Sequence, residues 1–181
     1  MRIANPLYGM LKKTIGNDRG NMMSRPVAYA QDILTRLWDK SIPVNPEQII
    51  GRISDIKLQS EPMSDDCSGM IEYDSKIGKY VISVNANHGQ NRQRFTIAHE
   101  LGHYALNHGD KKDTLFRHAN GAHERDEIEA NQFAAELLMP EGVIRHLIFN
   151  EKIVDVSILA GKLWVSEQAM LYRLKNLGLV S

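Results

Sequence analysis

The run RFTIAHELGHYALNH, residues 94–108, constrains this chain more than any other stretch. Apolar side chains at Phe95, Ile97, Ala98, Leu101, Ala105 and Leu106 wrap most of a helix, which places the segment inside the fold. They leave His99, Glu100, His103 and Asn107 as a narrow polar strip. A buried helix with one polar strip needs something polar to face. Residues four apart differ by about 40° around a helix, so His99 and His103 project from one face a turn apart and can share one ion. Zinc suits the pair, because it accepts imidazole nitrogen and carboxylate oxygen in tetrahedral geometry and leaves a position to water in catalytic sites. Within this H-E-x-x-H pattern Glu100 falls where a carboxylate can take a proton from that water, whose pKa the metal lowers to roughly 7. The competing reading is a chance match, with two histidines satisfied in a core and a surface glutamate.

A third ligand is expected on the next helical run, ERDEIEANQFAAELLMP, residues 124–140. With Glu127 at the origin of a helical wheel, Ala130, Asn131, Ala134 and Leu138 fall within about 60° on either side. Glu127 therefore sits in the middle of the apolar face, whereas Glu129, Gln132 and Glu136 cluster opposite as solvated residues. A carboxylate on an apolar face is costly to bury unless a cation compensates it. The alternative is that Glu127, near the helix start, stays solvated or interacts with the helix dipole. Asn131, one turn on along the same stripe, is placed for a hydrogen bond to a ligand. His108 is left out of the ligand set: it projects about 140° from His103 on a continuing helix, and the metzincin positions three and six residues after His103 hold Leu106 and Gly109. His118 and His123 fall in the connection between the two metal helices. His88 and His146 belong to no constellation, and Cys67 reads as an ordinary small residue before a strand.

The remaining chain organises around these helices. Residues 1–24 carry scattered glycine and charge and read as a loosely attached tail. From residue 25 to about 150 a single domain is expected. AYAQDILTRLWDK and NPEQIIGRI are helical, the second capped by Asn45 with Pro46 at its first position. Three β-type runs follow, IKLQS, GMIEY and KYVISVN, the last two joined by the turn at 74–78, and together they predict a small, mainly antiparallel three-stranded sheet. Everything beyond Arg92 reads helical, with breaks near 108–122, at Pro140, near Asn150 and at 164–166, so the class is α+β with a helical C-terminal half. The 22 basic and 22 acidic residues balance, which removes any general attraction for nucleic acid or anionic membranes. Lys12, Lys13, Asp18 and Arg19 interrupt the N-terminal apolar residues, so no signal or membrane-spanning segment is expected. With Cys67 as the single cysteine, no intrachain disulfide can form, which suits a reducing cytoplasm.

The pairing of H-E-L-G-H with E-x-x-A-N-x-F-A-x-x-L-L-M-P resembles the ImmA/IrrE family of bacterial and phage zinc metallopeptidases, over roughly residues 26–180. The resemblance implies a zincin-like, gluzincin-type domain with one zinc ion on His99, His103 and Glu127 and with Glu100 as catalytic base. It also implies that a peptide substrate pairs with an edge strand, GMIEY or KYVISVN. The family often has histidine four residues after the second ligand, where this chain has Asn107 followed by His108. The implied substrate is a cytoplasmic helix-turn-helix repressor, or an antitoxin, encoded nearby.

Residues 151–181 read as two helices, one ending near Trp164 and the next capped by Ser166 and stopped by Gly178. Their L-A-x-x-x-x-V-S spacing is similar to a DNA-binding helix-turn-helix. Four basic and three acidic side chains in this segment are weak provision for phosphate contacts, and a hairpin packed on the catalytic domain is the preferred reading. A zinc-containing regulator that binds DNA or protein without proteolysis, or a toxin-antitoxin component, is the rival function. The candidates for stabilising an oxyanion are Tyr73, Tyr104, His118 and His146.

Overall fold

The computed structural model describes residues 23–108 and 121–180, with the side chains of 121–123 excepted. The expected break at 108–122 falls almost wholly outside these residues, as do most of the tail, His118 and the side chain of His123. Helix α1 (Arg25–Leu37) starts with proline in its first turn and buries Tyr29, Ala30, Ile33 and Leu34 at helical spacing. In α2 (Pro46–Gly51) the Asn45 side chain accepts the amide of Gln48, satisfying one of the donors a helix start leaves open.

Strands β1 (Ile56–Glu61), β2 (Gly69–Asp74) and β3 (Lys79–Asn85) form one sheet in the order β1-β3-β2. The β2–β3 hairpin is antiparallel, with Ile71 opposite Ile82. Its turn uses Gly78 at φ +67, and the Asp74 carboxylate accepts the Lys76 amide at 2.8 Å. Strand β1, however, pairs with β3 in parallel, with Leu58 opposite Ile82. The sheet is thus mixed, which corrects the mainly antiparallel expectation: the turn fixes the sense of the hairpin, but nothing local fixes the side on which β1 docks. Buried Asn85 holds the connection from β1 to β2 across the end of β3. Its Oδ1 accepts from the amide of Met63 at 3.1 Å, and its Nδ2 donates to the carbonyls of Ser64 and Cys67 at 2.9 and 2.8 Å.

KYVISVN is therefore the central strand and cannot be an edge; Val81, Ile82 and Val84 are all buried, so both its faces are covered. The edges are β1 and β2. Helix α3 (Gln90–Leu106) lies against β2 and β3, and Gly69 permits the close approach, since a Cβ there would stand 2.5 Å from Thr96 Cγ2. Helix α4 (Gly121–Leu138) packs on α3 and α1, burying Ala130, Phe133, Ala134 and Leu137.

Helices α5 (Glu141–Phe149), α6 (Val156–Leu163) and α7 (Glu167–Asn176) complete the chain. Asp155 caps α6 and the Ser166 hydroxyl caps α7 by accepting the Ala169 amide at 3.1 Å. Leu159, Ala160, Leu163, Met170 and Leu174 join the same apolar core as α1, α3 and α4. Two buried arginines tie this hairpin down. Arg173 pairs with the Glu136 carboxylate and donates from Nε to the Met139 carbonyl at 3.1 Å. Arg94 donates to the Val44 carbonyl at 2.8 Å and stacks over the Trp164 ring. Glu136 is only 2% exposed, which corrects its reading as a solvated residue: Arg173 of α7 and Gln31 of α1 both reach its carboxylate. No described helix is long and apolar enough to cross a membrane.

Candidate metal centre

Helix α3 delivers His99 and His103 a turn apart, and α4 brings Glu127 over them. His99 Nε2 lies 2.9 Å from His103 Nε2, and the Glu127 carboxylate oxygens lie 3.0 and 3.2 Å from those two nitrogens. Ligand atoms held about 2.0–2.1 Å from a tetrahedral zinc stand roughly 3.3 Å apart. The imidazole nitrogens stand a few tenths of an ångström inside that value and each has a Glu127 carboxylate oxygen close by, so the donor set fits such an ion. Among the described residues this is the one group of histidine, cysteine and acidic side chains that converges in this way. The site opens to one side: the His103 side chain is 0% exposed, His99 14% and Glu127 33%. Glu127 is thus half-buried at the rim of the apolar face of α4 instead of sealed within it.

Gly102 allows the two helices to come this close. A Cβ at this position would meet the Phe133 ring at 3.0 Å and the Ala130 backbone at 3.3 Å, one turn from Glu127. The outward nitrogens of the two imidazoles are also engaged. Asn131 Oδ1 lies 3.0 Å from His99 Nδ1, so the ring donates there and keeps its Nε2 lone pair for a metal. Glu100, the residue after His99, is buried on α3.

His108 is not among the three converging side chains, yet it lies against one of them. Helix α3 ends at Asn107, whose left-handed φ of 56 folds the chain back, and the projected 140° separation no longer applies. The His108 ring comes to rest against His103, with their Nδ1 atoms 3.0 Å apart. Burial lowers its pKa, opposed by the Asp126 and Glu129 carboxylates. An asparagine closing an apolar helical run was the available signal, since asparagine tolerates the left-handed conformation that glycine usually supplies.

The other candidates lie elsewhere. The Tyr104 hydroxyl is buried against the sheet and donates to the Asp55 carboxylate, and burial together with that carboxylate raises its pKa. Its ring continues an edge-to-face stack through Tyr80 to Tyr73. His146 is exposed on α5 beside Glu151. The Cys67 thiol contacts Met63 Sδ at 3.7 Å and takes no part in the metal-ligand group.

Fold and site together define the class: an α+β domain in which one buried helix and its neighbour converge two histidines and a glutamate on one point. The chain belongs to the Peptidase M78 family, described as the IrrE N-terminal-like domain, whose sequence pattern matches residues 52–175. It is 37% identical over 102 residues to the radiation response metalloprotease IrrE of Deinococcus radiodurans, covering 52% of this chain and 30% of that protein. It is 31% identical over 84 residues to the metallopeptidase ImmA of Bacillus subtilis strain 168, covering 45% and 47% of the two chains. A 27% identity over 137 residues, 75% of this chain and 85% of the other, relates it to the uncharacterized immunity region protein 2 of Bacillus phage phi105. Among solved structures, a Mycobacterium tuberculosis transcriptional regulator superposes with a TM-score of 0.59 at 16% identity, covering 93% of this chain and 51% of that one. The aligned part spans less than half the length of either named metalloprotease.

Proposed function

We propose that the chain is a zinc-dependent endopeptidase that hydrolyses a peptide bond in a cytoplasmic regulatory protein, a helix-turn-helix repressor or an antitoxin. The observation that carries the reading is the convergence of His99, His103 and Glu127 with Glu100 next to the first ligand on the same helix. Held by those three side chains, one zinc ion would act as a Lewis acid toward the scissile carbonyl and make water acidic enough to serve as nucleophile near neutral pH. Glu100 takes the proton from the attacking water and delivers it to the leaving amine. Asn131 holds His99 in the tautomer that leaves Nε2 free. The edge strand β2, seated against α3 through Gly69 and Thr96, offers backbone groups on which an extended substrate can add as a further strand.

The regulatory character of the substrate is supported by relatives named for a radiation response and for a phage immunity region. Residues 25–150 are then the catalytic unit and 151–181 a hairpin seated on it. The rival, a zinc-containing regulator that binds DNA through that hairpin, is disfavoured by the burial of Arg173 against Glu136. Of the two basic residues in the last turn of α7, only Lys175 is left for phosphate.

Co-expression with the repressor-like protein encoded beside it tests the reading, using wild type and Glu100→Gln. Loss of the partner with wild type alone is expected. Equal effects from both proteins would refute proteolysis, and a wild-type-like shift of promoter DNA by Glu100→Gln would favour the regulator.

A further inference from the structure

Resting on the metal-site reading, we propose that His108 is a positioning residue, which accepts the Nδ1–H of His103 and passes that orientation to Glu129. Because His103 Nε2 is the atom that faces His99 and Glu127, a neutral His103 ligand carries its proton on Nδ1. A sealed N–H requires an acceptor, and it meets His108 Nδ1 at 3.0 Å. Two ring nitrogens at that distance cannot both donate. His108 therefore presents a lone pair at Nδ1 and bears its own proton on Nε2.

That second nitrogen is directed at carboxylates, with Glu129 Oε2 at 3.4 Å and Asp126 Oδ1 at 3.7 Å. Glu129 is in turn held by two guanidinium groups, Arg25 Nη1 and Arg125 Nε, each at 3.2 Å. Arg25 also donates to the Leu106 carbonyl, bracing the end of α3 at the turn that carries His108. The two histidine ligands are thus secured differently. His99 is fixed directly by a neutral amide, whereas His103 is fixed by a relay that ends on a carboxylate and the first turn of α1. A histidine whose outer N–H ultimately leans on a carboxylate is a stronger and better oriented ligand. Glu129, read from the sequence as solvated, becomes part of the support of the metal centre.

The test uses zinc-loaded protein labelled with 15N at histidine. The expected spectrum shows scalar coupling between the Nδ1 atoms of His103 and His108 across the hydrogen bond, with His108 protonated on Nε2. His108 protonated on Nδ1 would overturn the proposal. Zinc affinity, measured by competition with a chromophoric chelator, should fall about 10- to 100-fold in His108→Leu. It should recover largely in His108→Gln, whose carbonyl can accept from His103 while its amide donates to Glu129. Glu129→Ala should also lose affinity, and it carries the affinity test if His108→Leu fails to fold. Wild-type affinity in both His108→Leu and Glu129→Ala would refute the relay alone, whereas wild-type protein that takes up no zinc would refute the metal site itself and the relay with it.

Discussion

Replacing Gly102 with alanine adds one methyl group at the point where α3 and α4 approach most tightly. That methyl would stand 3.0 Å from Phe133 Cδ1, 3.2 Å from Cγ and 3.3 Å from Ala130 Cα, where carbon atoms in contact prefer about 3.5–4.0 Å. Phe133 is fully buried and Ala130 contributes backbone, so neither yields by a simple rotamer change. The helices must separate by roughly 0.5 Å at this position. Overpacking costs about 1–3 kcal/mol, and the helical preference of alanine over glycine returns about 1 kcal/mol, leaving a net loss of about 0–2 kcal/mol in fold stability. The metal site is less forgiving, because ligand distances tolerate only about 0.2 Å, and Glu127 on α4 moves relative to His99 and His103 on α3. Gly102→Ala is therefore expected to stay folded, with a thermal midpoint a few degrees below wild type in chelator, while losing at least tenfold in zinc affinity. Chelator competition read alongside thermal unfolding separates the two effects. Adding Phe133→Ala, which removes the contacted Cγ and Cδ1 atoms at a further cost in core stability, should restore part of the affinity. Wild-type zinc affinity in Gly102→Ala would refute the claim that helix separation sets the ligand spacing.

Other perturbations address the site and its scaffold. Glu127→Ala should abolish stoichiometric zinc binding in metal analysis, and the stabilisation that zinc gives wild type, about 4 kcal/mol when free zinc exceeds Kd a thousandfold, should vanish with it; unchanged stabilisation would remove Glu127 from the ligand set. Arg173→Met leaves the Glu136 carboxylate buried beside an apolar side chain and should cost about 3–5 kcal/mol in urea unfolding. The double variant Glu136→Leu with Arg173→Met should be far less damaged, and a double as unstable as the sum of the singles would show that the two residues do not act as a pair. Ser166→Ala removes the cap of α7 and should cost about 1 kcal/mol, readable as a lowered urea midpoint with an unchanged slope.

What the sequence determined by itself was everything set by neighbours along the chain. The four-residue spacing of His99 and His103 fixes their common face on any helix. Asn45 and Ser166 mark helix starts because the amides they accept lie three residues on, and Pro46 because its ring presets the helical φ and it has no N–H to leave open. The turn at 74–78 likewise settles the sense of the β2–β3 hairpin. The tertiary structure decided what each face meets. Whether β1 pairs in parallel or antiparallel depends on which side of β3 it reaches after a connection that Asn85 pins, and no local period encodes that choice. Glu127 and Glu136 are both carboxylates on α4, yet one meets two imidazoles and the other a guanidinium, because α3 and α7 arrive from different directions. For His108 a single left-handed residue, Asn107, redirected the chain and exchanged a 140° separation for a hydrogen bond. Periodicity and capping are short-range properties of a backbone, whereas the partner of a buried charge is chosen by the packing of elements far apart in the chain.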